Sequence, residues 1–378
     1  MRLSLTALAL FACAHPAVPP EVLELHRKAI VVDTHSDSTD LIVHEDYDFG
    51  VRHDFDHEDL PRMREGGLDA QFFSIFVYPK LVPAERWNAE AMKQIEALQA
   101  MIARNAPGIA FARTAAEVRR NAERGVISAL FGLEGGHMLL PGTEEEQLAH
   151  LRQFAELGVR YMTLTHSNTN SIGGSQGDEG EIAGLTDFGR RALEEMDRLG
   201  VMVDVSHVSD PLFWDVIRAV KKPVIASHSS SRELARHTRN MTDAMIKAVA
   251  KNGGAVCVNY WCAFLDDGFR DAARPVTEKT GNMRTSDRRR AFESAGLPDV
   301  PLARIADHIE HIARVGGIDH VCLGSDFDGV PMLPSGLEDV SRLPLLTAEL
   351  RRRGFSPGDL LKILGENTLR VMAANEPR

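Results

Sequence analysis

Ala29-Ile30-Val31-Val32-Asp33-Thr34-His35-Ser36-Asp37 runs from apolar residues into a His-x-Asp pair, and this order decides the fold because it recurs along the chain. The apolar stretch predicts a strand over Ala29–Asp33. Further strands are predicted at Ala70–Val77, Val126–Leu133, Tyr161–Thr165, Val201–Val205, Val224–Ser227, Ala255–Asn259 and His320–Ser325, eight in all. Between them lie stretches with apolar residues at helical spacing, such as Asn88–Arg104, Asp187–Leu199, Asp210–Val220 and Leu302–Val315. Two more helices, Leu337–Arg352 and Pro357–Ala374, close the chain as a helical C-terminal extension. The polar segment Leu265–Leu297 is too long for a plain loop and predicts an insertion over one barrel face. Alternating β and α units predict a parallel sheet, and eight of them can close into a (β/α)8 TIM barrel.

A barrel of this kind gathers its active site at the C-terminal ends of its strands. Six of the eight predicted strands end in ionisable groups: His35 and Asp37, Glu134, His166, His207, His228, and Asp326. Each such group costs desolvation free energy unless it is paired or metal-bound, so their recurrence at the same end points to a shared site. An open doubly wound sheet would place ligands only near its switch point, which six contributing strands fit poorly.

Residues two apart on an extended backbone point the same way, so His35 and Asp37 can reach one metal. Zinc accepts imidazole nitrogen and carboxylate oxygen, and Glu134 is the candidate third ligand. His207 and His228, ending neighbouring strands, could hold a second metal if Glu134 bridges the two ions, which would then share a hydroxide. His53 and His57 mimic a metal pair but follow no apolar strand. His44, His137, His150, His308 and His311 are set aside as structural.

The chain has 378 residues, 44% apolar and 26% charged, the composition of a folded protein. One domain over residues 21–378 follows an apolar leader over residues 1–20. A net charge of −11 argues against a nucleic-acid surface, and Arg288 to Arg290 and Arg351 to Arg353 are expected to face solvent. The leader, with Arg2, apolar Leu3 to Ala12 and Cys13, reads as an export signal. Leu10-Phe11-Ala12-Cys13 resembles a bacterial lipobox, which implies a lipid anchor on Cys13 and a periplasmic or membrane-anchored location. Cys257, Cys262 and Cys322 suggest no disulfide framework, and no cysteine-based zinc spacing occurs.

Longer motifs carry a family resemblance. Gly184-Leu185-Thr186-Asp187-Phe188-Gly189, followed by Leu199 to Ser209, resembles the central signature of the membrane (renal) dipeptidase family. Leu133-Glu134-Gly135-Gly136, Leu164-Thr165-His166-Ser167-Asn168 and Gly324-Ser325-Asp326-Phe327-Asp328-Gly329-Val330 resemble it as well, within a span from about Ile30 to Met372. The resemblance implies a zinc-dependent dipeptidase acting on L,L- and L,D-dipeptides, with two zinc ions per chain. His35, Asp37 and Glu134 would hold one ion, and Glu134, His207 and His228 the other, with Glu134 and a hydroxide bridging them. It implies that His166 contacts the oxygen of the tetrahedral intermediate, that Asp326 handles the proton, and that Arg239 binds the substrate's terminal carboxylate. It also implies a homodimer.

Each implied role has a physical reason. Preorganised donors lower the barrier at a developing oxyanion, and an arginine fork fits a carboxylate. Arg232 and Arg236 are rivals to Arg239, and Asp328 reads as a turn residue. Ser36, Ser38-Thr39 and the Leu265–Leu297 segment depart from the family pattern, which bears on specificity. The alternatives are a metallohydrolase of lactones, phosphoesters or cyclic amides, and a noncatalytic metal-binding scaffold.

Overall fold

The computed structural model describes residues 18–178 and 183–377, so the expected leader and Cys13 lie outside the described residues. Eight parallel strands form the ring: β1 (Val32–Ser36), β2 (Ala70–Ile75), β3 (Ile127–Glu134), β4 (Val159–Thr163), β5 (Met202–Asp204), β6 (Ile225–Ala226), β7 (Ala255–Val258) and β8 (Val321–Leu323). They neighbour one another in chain order, and the pairing of Asp33 on β1 with Leu323 on β8 closes the barrel. All eight predicted strands are present, most of them shorter than their apolar runs. A further strand, Ile109–Phe111, escaped the sequence reading because three residues carry no periodicity. It pairs with β3 below Phe131, on the edge that β4 uses above that point.

Local chemistry sets where the chain turns into each strand. The helix Asp187–Leu199 begins where the Thr186 hydroxyl accepts from the Gly189 N–H, and it ends at Gly200 with φ 72°. That left-handed step suits glycine and sends the chain straight into Val201 and β5. Inward residues of the strands, including Val32, Phe72, Leu130, Tyr161, Met202, Ile225 and Ala255, fill the barrel. A larger apolar layer lies between the strands' outer faces and the helices. The last helix, Asn367–Asn375, adds Leu369, Val371 and Met372 to the interior cluster. Asn367 Nδ2 donates to the Val321 carbonyl at 2.8 Å, which fixes this helix at the N-terminal end of the ring.

Three expectations need correction. Cys257 and Cys322, register partners on β7 and β8, form a disulfide inside the barrel, although the sequence suggested none. Strand alignment brings together cysteines 65 positions apart, which spacing could not reveal. The Leu265–Leu297 segment is an insertion as expected, with helices Asp267–Thr280 and Thr285–Glu293. Its arginines do not all face solvent, however: Arg289 pairs with Asp56 and Asp328, and Arg288 lines a cavity. Arg353 likewise turns inward to Asp307 at 2.7 Å. Among the described residues no helix is long and apolar enough to cross a membrane.

Candidate active site

The ends of β1 and β8 are tied together by backbone bonds: the Asp37 N–H donates to the Phe327 carbonyl at 2.8 Å, and the Asp326 N–H to the His35 carbonyl at 3.1 Å. Just beyond β5 and β8 the chain takes left-handed turns at His207 (φ 66°), Asp326 (φ 65°) and Asp328 (φ 60°). Such conformations cost on the order of 1–3 kcal/mol each for residues other than glycine. Here they bring side chains to the mouth of the ring.

Glu134, ending β3, is the hub. Its Oε1 lies 3.0 Å from His207 Nε2, 3.4 Å from His228 Nε2, 3.5 Å from His35 Nε2 and 3.7 Å from His166 Nε2. His35 Nε2 is also 3.6 Å from Asp37 and 4.0 Å from Asp326. Three overlapping sets of side chains could therefore hold a cation: His35, Glu134 and His228; Glu134, His166 and His207; and His35, Asp37 and Asp326.

Hydrogen bonds fix the backs of two of the buried imidazoles, while His207 Nδ1 has no partner. His35 Nδ1 meets the Tyr161 hydroxyl at 2.8 Å, and His228 Nδ1 meets Ser227 Oγ at 2.8 Å. Ser227 Oγ in turn bonds Asp204 Oδ2 at 2.6 Å. Such partners hold a ligand's ring orientation and tautomer. Asp326 is held by Asn259, whose Nδ2 donates to Oδ2 at 2.7 Å.

The residues fit a metal. His35 Nε2 is buried without a hydrogen-bond partner, and the Nε2 atoms of His207 and His228 face each other at 2.9 Å. Burial pushes Glu134 and Asp326 above the usual carboxylate range, with His35 opposing the shift in both. Burial also works against a charged His35, but Tyr161, Glu134 and Asp37 outweigh it and raise its imidazole well above the usual value. Burial first, with Arg239 among the charges behind it, holds His166, His207 and His228 well below their usual value, in the neutral form that binds metal. A divalent cation among these groups would offset both the crowded carboxylates and the unpartnered nitrogen.

Above the cluster opens a cavity of about 220 Å³ lined by Asp37, Glu134, His166, His207, Arg239 and Asp326. All eight sequence-predicted residues thus converge, with His35 and His228 buried beneath the cavity floor. Arg239 is distinguished from its rivals: Arg232 pairs with Asp210 at 2.7 Å, and Arg236 is exposed beside Asp267. The buried Arg239 bonds the His228 carbonyl at 3.1 Å and Ser229 Oγ at 3.3 Å, leaving Nε unpartnered. His57 accepts from the Asp328 N–H at 2.8 Å and His53 stacks on Tyr47, so both lie outside the cluster. Asp328 is a buried structural acceptor, taking the His57 N–H at 2.7 Å and the Ser38 hydroxyl.

Sequence reasoning missed Asn259, Tyr161 and Arg288. Asn259 follows β7 at the same end of the ring and would have been found by counting polar as well as ionisable groups. Tyr161 sits inside the barrel, where an aromatic reads as core, and its polar tip showed no sequence signal.

A family model described as membrane dipeptidase, peptidase family M19, matches residues 20–377. The chain is similar to an uncharacterized dipeptidase of Schizosaccharomyces pombe, 34% identical over 383 residues, covering 93% of this chain and 82% of that protein. It is similar to the solved structure of dipeptidase AC, a metallopeptidase of family M19, with 29% identity, a TM-score of 0.76, and coverage of 93% of this chain and 99% of that one. It is also similar to a Rhodobacter sphaeroides metallopeptidase liganded with a phosphinate mimic of the dipeptide L-Ala-D-Ala. That likeness has 28% identity, a TM-score of 0.75, and coverage of 92% of this chain and 100% of that one. Fold and matches together define the class, a (β/α)8 metallopeptidase. The chain belongs to the membrane dipeptidase family, peptidase family M19.

Proposed function

We propose that the protein is a two-zinc dipeptidase that cleaves L,L-dipeptides and dipeptides with a C-terminal D-residue. The observation that carries this reading is the convergence of His35, Asp37, His207 and His228 around Glu134, with Asp326 and Arg239 on the same cavity. His35 and Asp37 would hold one ion and His207 and His228 the other, with Glu134 shared. Bound zinc supplies an acidified water and polarises the scissile carbonyl. Asp326, oriented by Asn259, takes the proton of the nucleophile and delivers it to the leaving amine. His166, held neutral by burial, donates to the oxygen of the tetrahedral intermediate. Arg239 clamps the free carboxylate through its planar fork.

The experiment combines zinc content per chain with turnover of Ala-Ala, L,L and L,D, before and after chelation, and of the C-terminal amide. Two zinc ions, turnover lost on chelation and restored by zinc, and an amide cut about ten- to a hundredfold more slowly are expected. Bound metal without turnover, or indifference to amidation, would remove the reading. Export, a lipid anchor at Cys13 and a homodimer belong to the same proposal. The Cys257–Cys322 disulfide supports export, because disulfides persist in oxidising compartments.

A further inference from the structure

Four arginines occupy the start and body of the insertion helix Thr285–Glu293: Arg284 at its cap, then Arg288, Arg289 and Arg290. Three of them meet carboxylates. Arg284 pairs with Asp40, Arg289 with Asp56 and Asp328, and Arg290 with Asp287 at 3.8 Å. Arg288 has no such partner. Among the described residues its guanidinium makes no ion pair and no hydrogen bond, and its Nε is buried and unpartnered. Its Cζ stands 5.8 Å from the Trp261 ring centroid and 6.0 Å from that of Phe292, so two aromatic rings flank the ion without neutralising it. It lines the cavity that also holds Glu134, Arg239 and Asp326.

A half-buried cation with no carboxylate in contact, only the more distant attraction of Asp326, costs desolvation free energy that the fold could avoid by a neutral residue. The other arginines of this helix show that carboxylate partners were available to it. An ordinary dipeptide brings one free carboxylate, which Arg239 takes, and its entry would leave Arg288 still unpaired while displacing water from it. A dipeptide with an acidic side chain brings two carboxylates to two guanidinium groups. We infer, resting on the dipeptidase reading above, that Arg288 receives the side-chain carboxylate of the substrate and that the enzyme prefers dipeptides containing glutamate or aspartate.

The test measures kcat/KM of the zinc-loaded full-length protein for Ala-Glu and Glu-Ala against their amide isosteres Ala-Gln and Gln-Ala. Wild type, Arg288→Met and Arg288→Lys are compared. In wild type one acidic dipeptide should exceed its isostere by about ten- to a hundredfold, chiefly through KM, as for a charge-assisted hydrogen bond. Arg288→Met should bring that ratio close to unity, and Arg288→Lys should keep part of it, since the charge stays while the fork is lost. Each ratio compares two substrates on one preparation, so a partly unfolded variant still reports. An acidic-to-amide ratio at or below one in a wild type that hydrolyses Ala-Gln or Gln-Ala overturns the inference and leaves the dipeptidase reading standing. A wild-type ratio retained in Arg288→Met overturns it equally. Absence of turnover on every dipeptide overturns both.

Discussion

At the N-terminal end of the ring the strands turn Val32, Ala70, Leu130 and Met202 toward one another, and the last helix covers them with Leu369 and Met372. A few residues further along, the same strands present His35, Glu134, His166 and His207 around a shared centre. One end is apolar and capped by a helix; the other crowds carboxylates and imidazoles around one point. Backbone strain follows the same division. Of the five described residues other than glycine with positive φ, three, His207, Asp326 and Asp328, follow β5 and β8 at the site, and two, Asp46 and Asp56, lie in a surface loop. The contrast shows that a barrel can carry a costly arrangement at one mouth because apolar packing dominates the rest of the ring.

The contrast can be broken most strongly at the mouth. Asp326→Asn keeps the side chain's shape and should retain metal content while losing about 10²- to 10⁴-fold in kcat. Near-normal turnover would take Asp326 out of the chemistry. At the opposite end, Leu130→Ala opens a void in a fully buried position and should cost about 2–5 kcal/mol in denaturant unfolding. Its kcat/KM at 25 °C should stay within a factor of about two of wild type; a parallel loss of activity would show that the two ends are coupled.

One group at the packed end breaks its own rule. Asp69, just before β2, accepts the Val31 N–H at 2.8 Å, but burial pushes its carboxyl up to about 6. With the folded value raised above the unfolded one, its stabilising contribution is complete below about pH 4 and is lost as pH rises through about 6. Asp69→Asn keeps the acceptor and does not titrate. It should be more stable than wild type by roughly 1–3 kcal/mol at pH 7.5, a difference that vanishes near pH 4 in urea titrations. A pH-independent difference would show that Asp69 is not the titrating group. The smallest effect is expected at a surface cap: Thr114→Ala removes the hydroxyl that accepts the Glu117 N–H and should lower stability by about 1 kcal/mol, with kinetics unchanged.

The site was more legible in the sequence than the exact strands that build it. Each candidate ligand is an ionisable side chain at or just past the end of an apolar run, where the cost of burying it makes it stand out. One such residue alone says little, and it is the recurrence of His35, Glu134 and His207 at the same end of separate strands that made them readable together. Strand bounds depend on which backbone groups find partners, so β6 shrinks to Ile225–Ala226 although Val224 to Ser227 reads as extended. The Cys257–Cys322 bond and the inward turn of Arg288 are facts of three-dimensional neighbourhood. Arg288 looked like its neighbours Arg289 and Arg290, and only the placement of the helix against the cavity tells them apart.

The strand that completes the ring, Val321–Leu323, and the helix that seals its floor both lie in the last sixth of the chain. During translation one edge of β1 therefore waits unpaired until Val321–Leu323 has left the ribosome. Nascent chains stalled before residue 321 should therefore display an open sheet edge that a holding chaperone could engage.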